Sequence, residues 1–167
     1  MENISFDKLL FKTAFCCMAA DGNIDSSEIA LIKAMCEKYP LFKDFNFQME
    51  VNLLVSEINV NAKAFISTYF DLLKKSSLSE QEELTLIDFA IETIKADGVI
   101  EYSEIKFFKN IRHRLKISDE NILAVYPDIE QFLEADIITE SFLDRITNQY
   151  LDSAELPQFE QINFDTL

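Results

Sequence analysis

The chain has 167 residues, 49% of them hydrophobic, which is ample apolar material for one core and excludes disorder along its whole length. Thirty acidic residues against 15 basic ones give a formal charge of −15, and a chain that acidic repels a phosphate backbone, so nucleic-acid binding is not expected. Two glycines and three prolines are too few to turn the chain at every strand end, as a sheet protein requires, and helices are what remain.

In chain order, apolar spacing of three and four residues predicts a first helix over 5–20, with Leu9, Leu10, Thr13, Ala14, Cys17 and Met18 on a broad stripe. Its start, acidic and without an apolar run, does not read as a signal peptide. Asp21-Gly22-Asn23-Ile24 breaks that helix, and a second follows over 26–38, ending before Pro40. Two more are predicted over 47–58 and 62–76, and Ser76 to Ser79 reads as a linker. Ser79 and Glu82 have the spacing of a capping box, which opens a helix over 80–96 that stops at Asp97-Gly98-Val99-Ile100. A helix over 102–115 comes next, then a short one capped by Ser118 and ending near Pro127. Phe142, Leu143, Ile146 and Tyr150 suggest one further helix, before an acidic tail from Asp152 to Leu167. The expectation is an all-α fold of seven to eight helices, with one domain over 1–127 and a C-terminal helix and tail over 128–167. No window approaches the ~18 apolar residues of a membrane span. Three cysteines, two of them adjacent, do not make a disulfide framework; they read as core thiols of a cytoplasmic protein.

A shift of 76 residues lays Phe11–Cys36 over Ile87–Arg112 without a gap, with nine identities in 26 positions. Ala20, Asp21, Gly22, Ile24, Ser27, Glu28 and Ile29 match Ala96, Asp97, Gly98, Ile100, Ser103, Glu104 and Ile105. Both of the chain's glycines fall at the same place in the repeat, where each is expected to supply a positive φ. The unit is a duplicated helix–loop–helix, and two such units predict pseudo-twofold-related halves.

The repeated loop matches the second half of an EF-hand: Asp, Gly, an aliphatic anchor and a Glu that reaches back from the next helix. The first half does not match, since Cys17 and Ala19, or Thr93 and Lys95, stand where carboxylates belong. Lys95 is expected to repel a cation or to occupy Asp97. A calcium loop of the usual kind, with its six to eight oxygens, is therefore not expected.

The pattern Ala-Asp-Gly-x-Ile-x-x-x-Glu, present as Ala20–Glu28 and again as Ala96–Glu104, resembles the TerB-like, tellurite-resistance family over about residues 5–127. That resemblance implies an all-helical, pseudo-twofold bundle, a cytoplasmic stress-response role, and a divalent metal held by acidic loop residues. Carried onto this chain, the metal set is Asp21, Glu28, Asp97 and Glu104. Four carboxylates brought together repel one another unless a cation or protons relieve the charge. Oxygen donors with a single histidine favour Ca²⁺, Mg²⁺ or Mn²⁺ over Zn²⁺. The competing reading gives these acids a structural role only: Asp25 and Glu28 as a capping box, Asp21 and Asp97 as acceptors for loop N–H groups, in a helical interaction module without metal.

Lys106, Lys109, His113 and Lys116 are spaced as one basic helix face, a patch for an acidic partner or a solvated surface paired with local carboxylates. Tyr102 stands inside the second motif, where it is expected to be exposed. Phosphate loops, nucleophile elbows, CxxC and HExxH are absent, so the chain does not read as an enzyme, and protein partners are expected instead.

Overall fold

The computed structural model describes residues 4–20, 24, 26–96, 98, 100, 102–129 and 133. The described residues form an all-α bundle of seven helices with no strand: α1 (Phe6–Ala19), α2 (Ser26–Glu37), α3 (Phe47–Val60), α4 (Ala62–Lys75), α5 (Glu80–Ile94), α6 (Tyr102–His113) and α7 (Asp119–Val125). Short 3-10 turns at Pro40–Phe42 and Pro127–Ile129 follow α2 and α7.

Each boundary has a local cause. Asn46, Asn61, Ser79 and Ser118 stand just before α3, α4, α5 and α7, and each side chain accepts a backbone N–H three residues on, at 3.0–3.2 Å. These bonds satisfy donors that a first helical turn leaves open. At Ser79 the box is complete, because Glu82 Oε2 accepts the Ser79 N–H at 2.8 Å. Pro40 opens a 3-10 turn, where its missing N–H costs nothing.

Burial ranks the helices. Ten of the 14 residues of α1 are buried, so it is covered on every side rather than along one stripe. Its most extensive packing is against α5, the corresponding helix of the second repeat. The second helix of each repeat also reaches the first helix of the other: α2 packs on α5, and α6 on α1. This reciprocal crossing is how two halves related by a twofold meet. The repeat is also exact in length at this point, since α2 and α6 are each 12 residues long and begin 76 residues apart.

Aromatic edges fill the space around this pair. Phe11 on α1 lies edge-on to Phe45 and Phe47, with centroids 5.0 and 5.2 Å away, and Phe15 meets Phe65 of α4 at 5.9 Å. The hydroxyl of Tyr69, fully buried, donates to Thr13 Oγ1 at 2.8 Å, and Thr13 in turn donates to the Leu9 carbonyl. That chain of bonds ties α4 to α1 and gives both buried hydroxyls a partner.

Candidate functional site

The two repeat loops leave α1 and α5 and enter α2 and α6. Of the predicted ligand set, Glu28 and Glu104 are described, and Asp21 and Asp97 lie outside the described residues, as do Gly22, Asn23, the Asp25 cap and the Tyr102 side chain. Glu28 sits in the first turn of α2 and Glu104 in the first turn of α6, at equivalent places in the repeat. Their exposures are 2% and 1%, which is exceptional for a carboxylate.

The charges of both glutamates are felt by one thiol. Cys17, one turn from the end of α1 and wholly buried, has its thiol pushed far up in pKa. Burial is the main cause; Cys16 adds to it, and so do the negative charges of both Glu104 and Glu28. Carboxylates from both repeats therefore act electrostatically on one thiol of α1. Thr93 takes the position of Cys17 in the second repeat; it is fully buried and donates to the Phe89 carbonyl at 2.6 Å.

The backbone of the second loop bears out the glycine expectation at the position that is described. Gly98 has φ +76°, and its N–H donates to the Lys95 carbonyl at 3.1 Å. Among the described residues nothing lies within 4 Å of where a Cβ would stand, so backbone conformation is what asks for glycine. Lys95 is expected to repel a cation or to occupy Asp97, which lies outside the described residues. Its ammonium bonds Asp128 at 3.0 Å, beyond the end of α7, and the exposed Asp128 carboxyl is held below its usual pKa by that bond.

The basic face is also arranged differently from its spacing. Arg114 and Leu115 donate back to Ile111 and Arg112, which closes α6 at His113 and places Lys116 beyond the helix. The Lys116 and Ile117 N–H groups point instead at Glu83, whose carboxylate accepts three bonds at 2.7–3.1 Å. Arg112 pairs with Asp119 at 2.7 Å, and the Arg114 guanidinium lies 4.1 Å above the ring of Phe70.

Glu83 and Asp88 were not singled out from sequence, although a signal for the first was present. Glu83 shares the apolar stripe of Leu86, Ile87, Ala90 and Ile94, and a charge in such a stripe needs a partner. Asp88 accepts from Tyr126 at 2.5 Å and from Tyr39 at 3.4 Å, so one carboxylate joins the segment after α2 to the segment after α7. Burial and the charge of Asp88 raise the pKa of both tyrosines. The three cysteines are free and buried, and burial pushes Cys16 and Cys36 up to about 12, which leaves them protonated and unreactive at neutral pH.

Among the described residues no group of three or more His, Cys, Asp or Glu side chains is placed to hold a metal ion. Among those residues, too, no helix is long and apolar enough to cross a membrane. Comparison with models of protein families, with curated proteins and with solved structures finds no match to this chain.

Proposed function

We propose that this protein is a TerB-like, non-enzymatic module of a cytoplasmic stress response, which binds a divalent cation through its two Asp-Gly-x-Ile-x-x-x-Glu loops and docks partner proteins. The observation that carries the reading is the pair Glu28 and Glu104, both almost fully excluded from water and both charging the surroundings of Cys17. Two buried carboxylates are costly unless positive charge, protons or hydrogen bonds compensate them. Asp21 and Asp97, each seven residues before its glutamate, add hard oxygen donors of the kind Ca²⁺, Mg²⁺ and Mn²⁺ prefer. Lys95, whose position suggested an ammonium opposed to a cation, has a carboxylate partner in Asp128.

Titration calorimetry with Ca²⁺, Mg²⁺ and Mn²⁺ tests this directly. Binding heat is expected for at least one of the three ions, and it should vanish in Asp21→Ala with Asp97→Ala. The melting temperature should rise with cation concentration, following RT ln(1 + [L]/Kd) in free energy. Absence of heat with all three ions, and equal melting in cation and in chelator, would assign the loop acids to helix capping in a metal-free interaction module.

A further inference from the structure

The two halves cover their central helices unequally. After α2 the chain continues into α3 and α4, helices of 14 residues each that both pack on α1. After α6, α5 is overlaid by residues 118–129, which form the seven-residue α7 and the 3-10 turn Pro127–Ile129. A helix of two turns does not hold its shape alone, and among the described residues α7 packs most on that turn. Ile122 and Ile129 anchor the segment in the core, whereas Val125 is 53% exposed.

The segment runs along α5 like a strap. Asn121 donates to Glu80, the first residue of α5, at 2.7 Å, and the N–H groups of Lys116 and Ile117 donate to Glu83. Tyr126 donates to Asp88 further along, and Asp128 accepts from Lys95, the residue that caps the helix. Strap and helix have the same sign of charge. Five acids and no base lie on α5, and the strap has Asp119, Glu120 and Asp128 and no base. Like charges side by side repel, so closure relies on the neutral donors and on Lys95 and Arg112, which lie outside the strap and pair with Asp128 and Asp119. A cleft of about 410 Å³ remains between Leu78 and Glu80 on one side and Ile117, Ser118 and Asn121 on the other, so the start of the strap is not packed to interior density.

Lys95 serves the strap and the second repeat loop at once. Its ammonium bonds Asp128, and its carbonyl accepts the Gly98 N–H at 3.1 Å, next to the bond from the Ala96 N–H to the Thr93 carbonyl at 3.2 Å. Under the 76-residue shift Lys95 aligns with Ala19, which has no side chain able to make such a link. Loops that are alike in sequence are therefore tied differently to the rest of the fold.

We infer that residues 118–129 form a latch: they open and close over α5 as a unit and, through Asp128 and Lys95, fix the second repeat loop while closed. The first loop is outside its control. The inference does not depend on cation binding, and its test is run in chelator.

Amide hydrogen exchange on the full chain over a urea series tests it. Amides from Ile122 to Tyr126 should exchange through a local opening with weak urea dependence, at least ~100-fold faster than the slowest amides of α1. Tyr126→Phe removes one hydroxyl and keeps the ring; it should speed the strap amides about tenfold, and the Ala96 and Gly98 amides, whose own bonds it leaves in place, by a similar factor. The Ala20 amide, which bonds the Cys17 carbonyl at the equivalent place in the first loop, should not change. Tyr39→Phe removes the other bond to Asp88 and should alter strap and second loop by less than about twofold. Asp128→Asn should free Gly98 and make its exchange indifferent to a further Tyr126→Phe, while the strap still responds. Unchanged protection of α1 shows that each variant is folded. Strap amides that exchange only with α1, a Tyr126→Phe effect that stops short of Ala96 and Gly98 or reaches Ala20 equally, or equal effects of the two tyrosine variants would overturn the inference.

Discussion

Gly98 shows how a single backbone angle makes one residue type necessary. With φ +76° and, among the described residues, no atom near its missing Cβ, the position disfavours other residues by conformation and not by space. Gly98→Ala should cost about 1–2 kcal/mol, and Gly98→Asn less, because Asn enters the left-handed region more easily. For a chain of this length that corresponds to a melting temperature lower by roughly 2–8 °C for alanine. Equal melting of the Gly98→Ala variant and the parent protein would show that the turn does not need that angle. Buried carboxylates are the other lesson at this scale. Glu28 and Glu104 were legible as a pair, because the repeat aligned them, whereas their shared influence on Cys17 was not. On sequence grounds Cys17 is an apolar core residue at a failed ligand position; that the charges of both glutamates reach it depends on how α2 and α6 pack on the central pair.

Adjacent glutamates at the start of α5 separate what a helix does for itself from what the fold does with it. Glu82 completes a local cap with Ser79, and glutamine serves that geometry equally well. Glu83, 5% exposed, instead receives N–H groups of Lys116 and Ile117 from beyond α6. Glu82→Gln should therefore shift stability by no more than about 0.5 kcal/mol. Glu83→Gln should cost about 1–3 kcal/mol, because it removes the charge from these bonds and turns an amide NH₂ toward donors. Urea denaturation of the two variants checks the contrast, and equal losses would contradict it. The helix predicted over 102–115 ends two residues early for a related reason: Lys116 bonds Glu83, 33 residues away in sequence, so the chain turns off at His113.

The bundle as a whole buries ionisable groups that must stay neutral. Cys16 and Cys36 are pushed up to about 12 by burial, and Tyr69 is raised well above its usual value by the same cause. A group whose folded pKa is raised stabilises the fold fully below its unfolded pKa, near 9.0 for the thiols, and loses that contribution as pH climbs through the folded value. The urea midpoint should accordingly be flat between about pH 7 and 8 and fall steadily above about 9, with thiols that react with a disulfide reagent only after unfolding. A midpoint at about pH 10.5 as high as at neutrality would contradict this account. Tyr39 and Tyr126 act in the same direction, since both are raised by burial and by Asp88.

Sequence by itself determined the all-helical class, the seven described helices to within about two residues at each end, the Ser79 and Ser118 caps, and the doubled loop unit; the C-terminal helix over Phe142–Tyr150 and the tail from Asp152 lie outside the described residues. These properties depend on neighbours three or four positions apart, where spacing alone brings groups together. Tertiary structure alone decided that α1 is covered on all sides, that Lys95 turns to Asp128, and that Glu28 and Glu104 are both buried and both act on the Cys17 thiol. Those relations join residues well beyond helical spacing. Which distant groups meet is set by packing every apolar face at once, a condition on the whole chain that no local stretch contains.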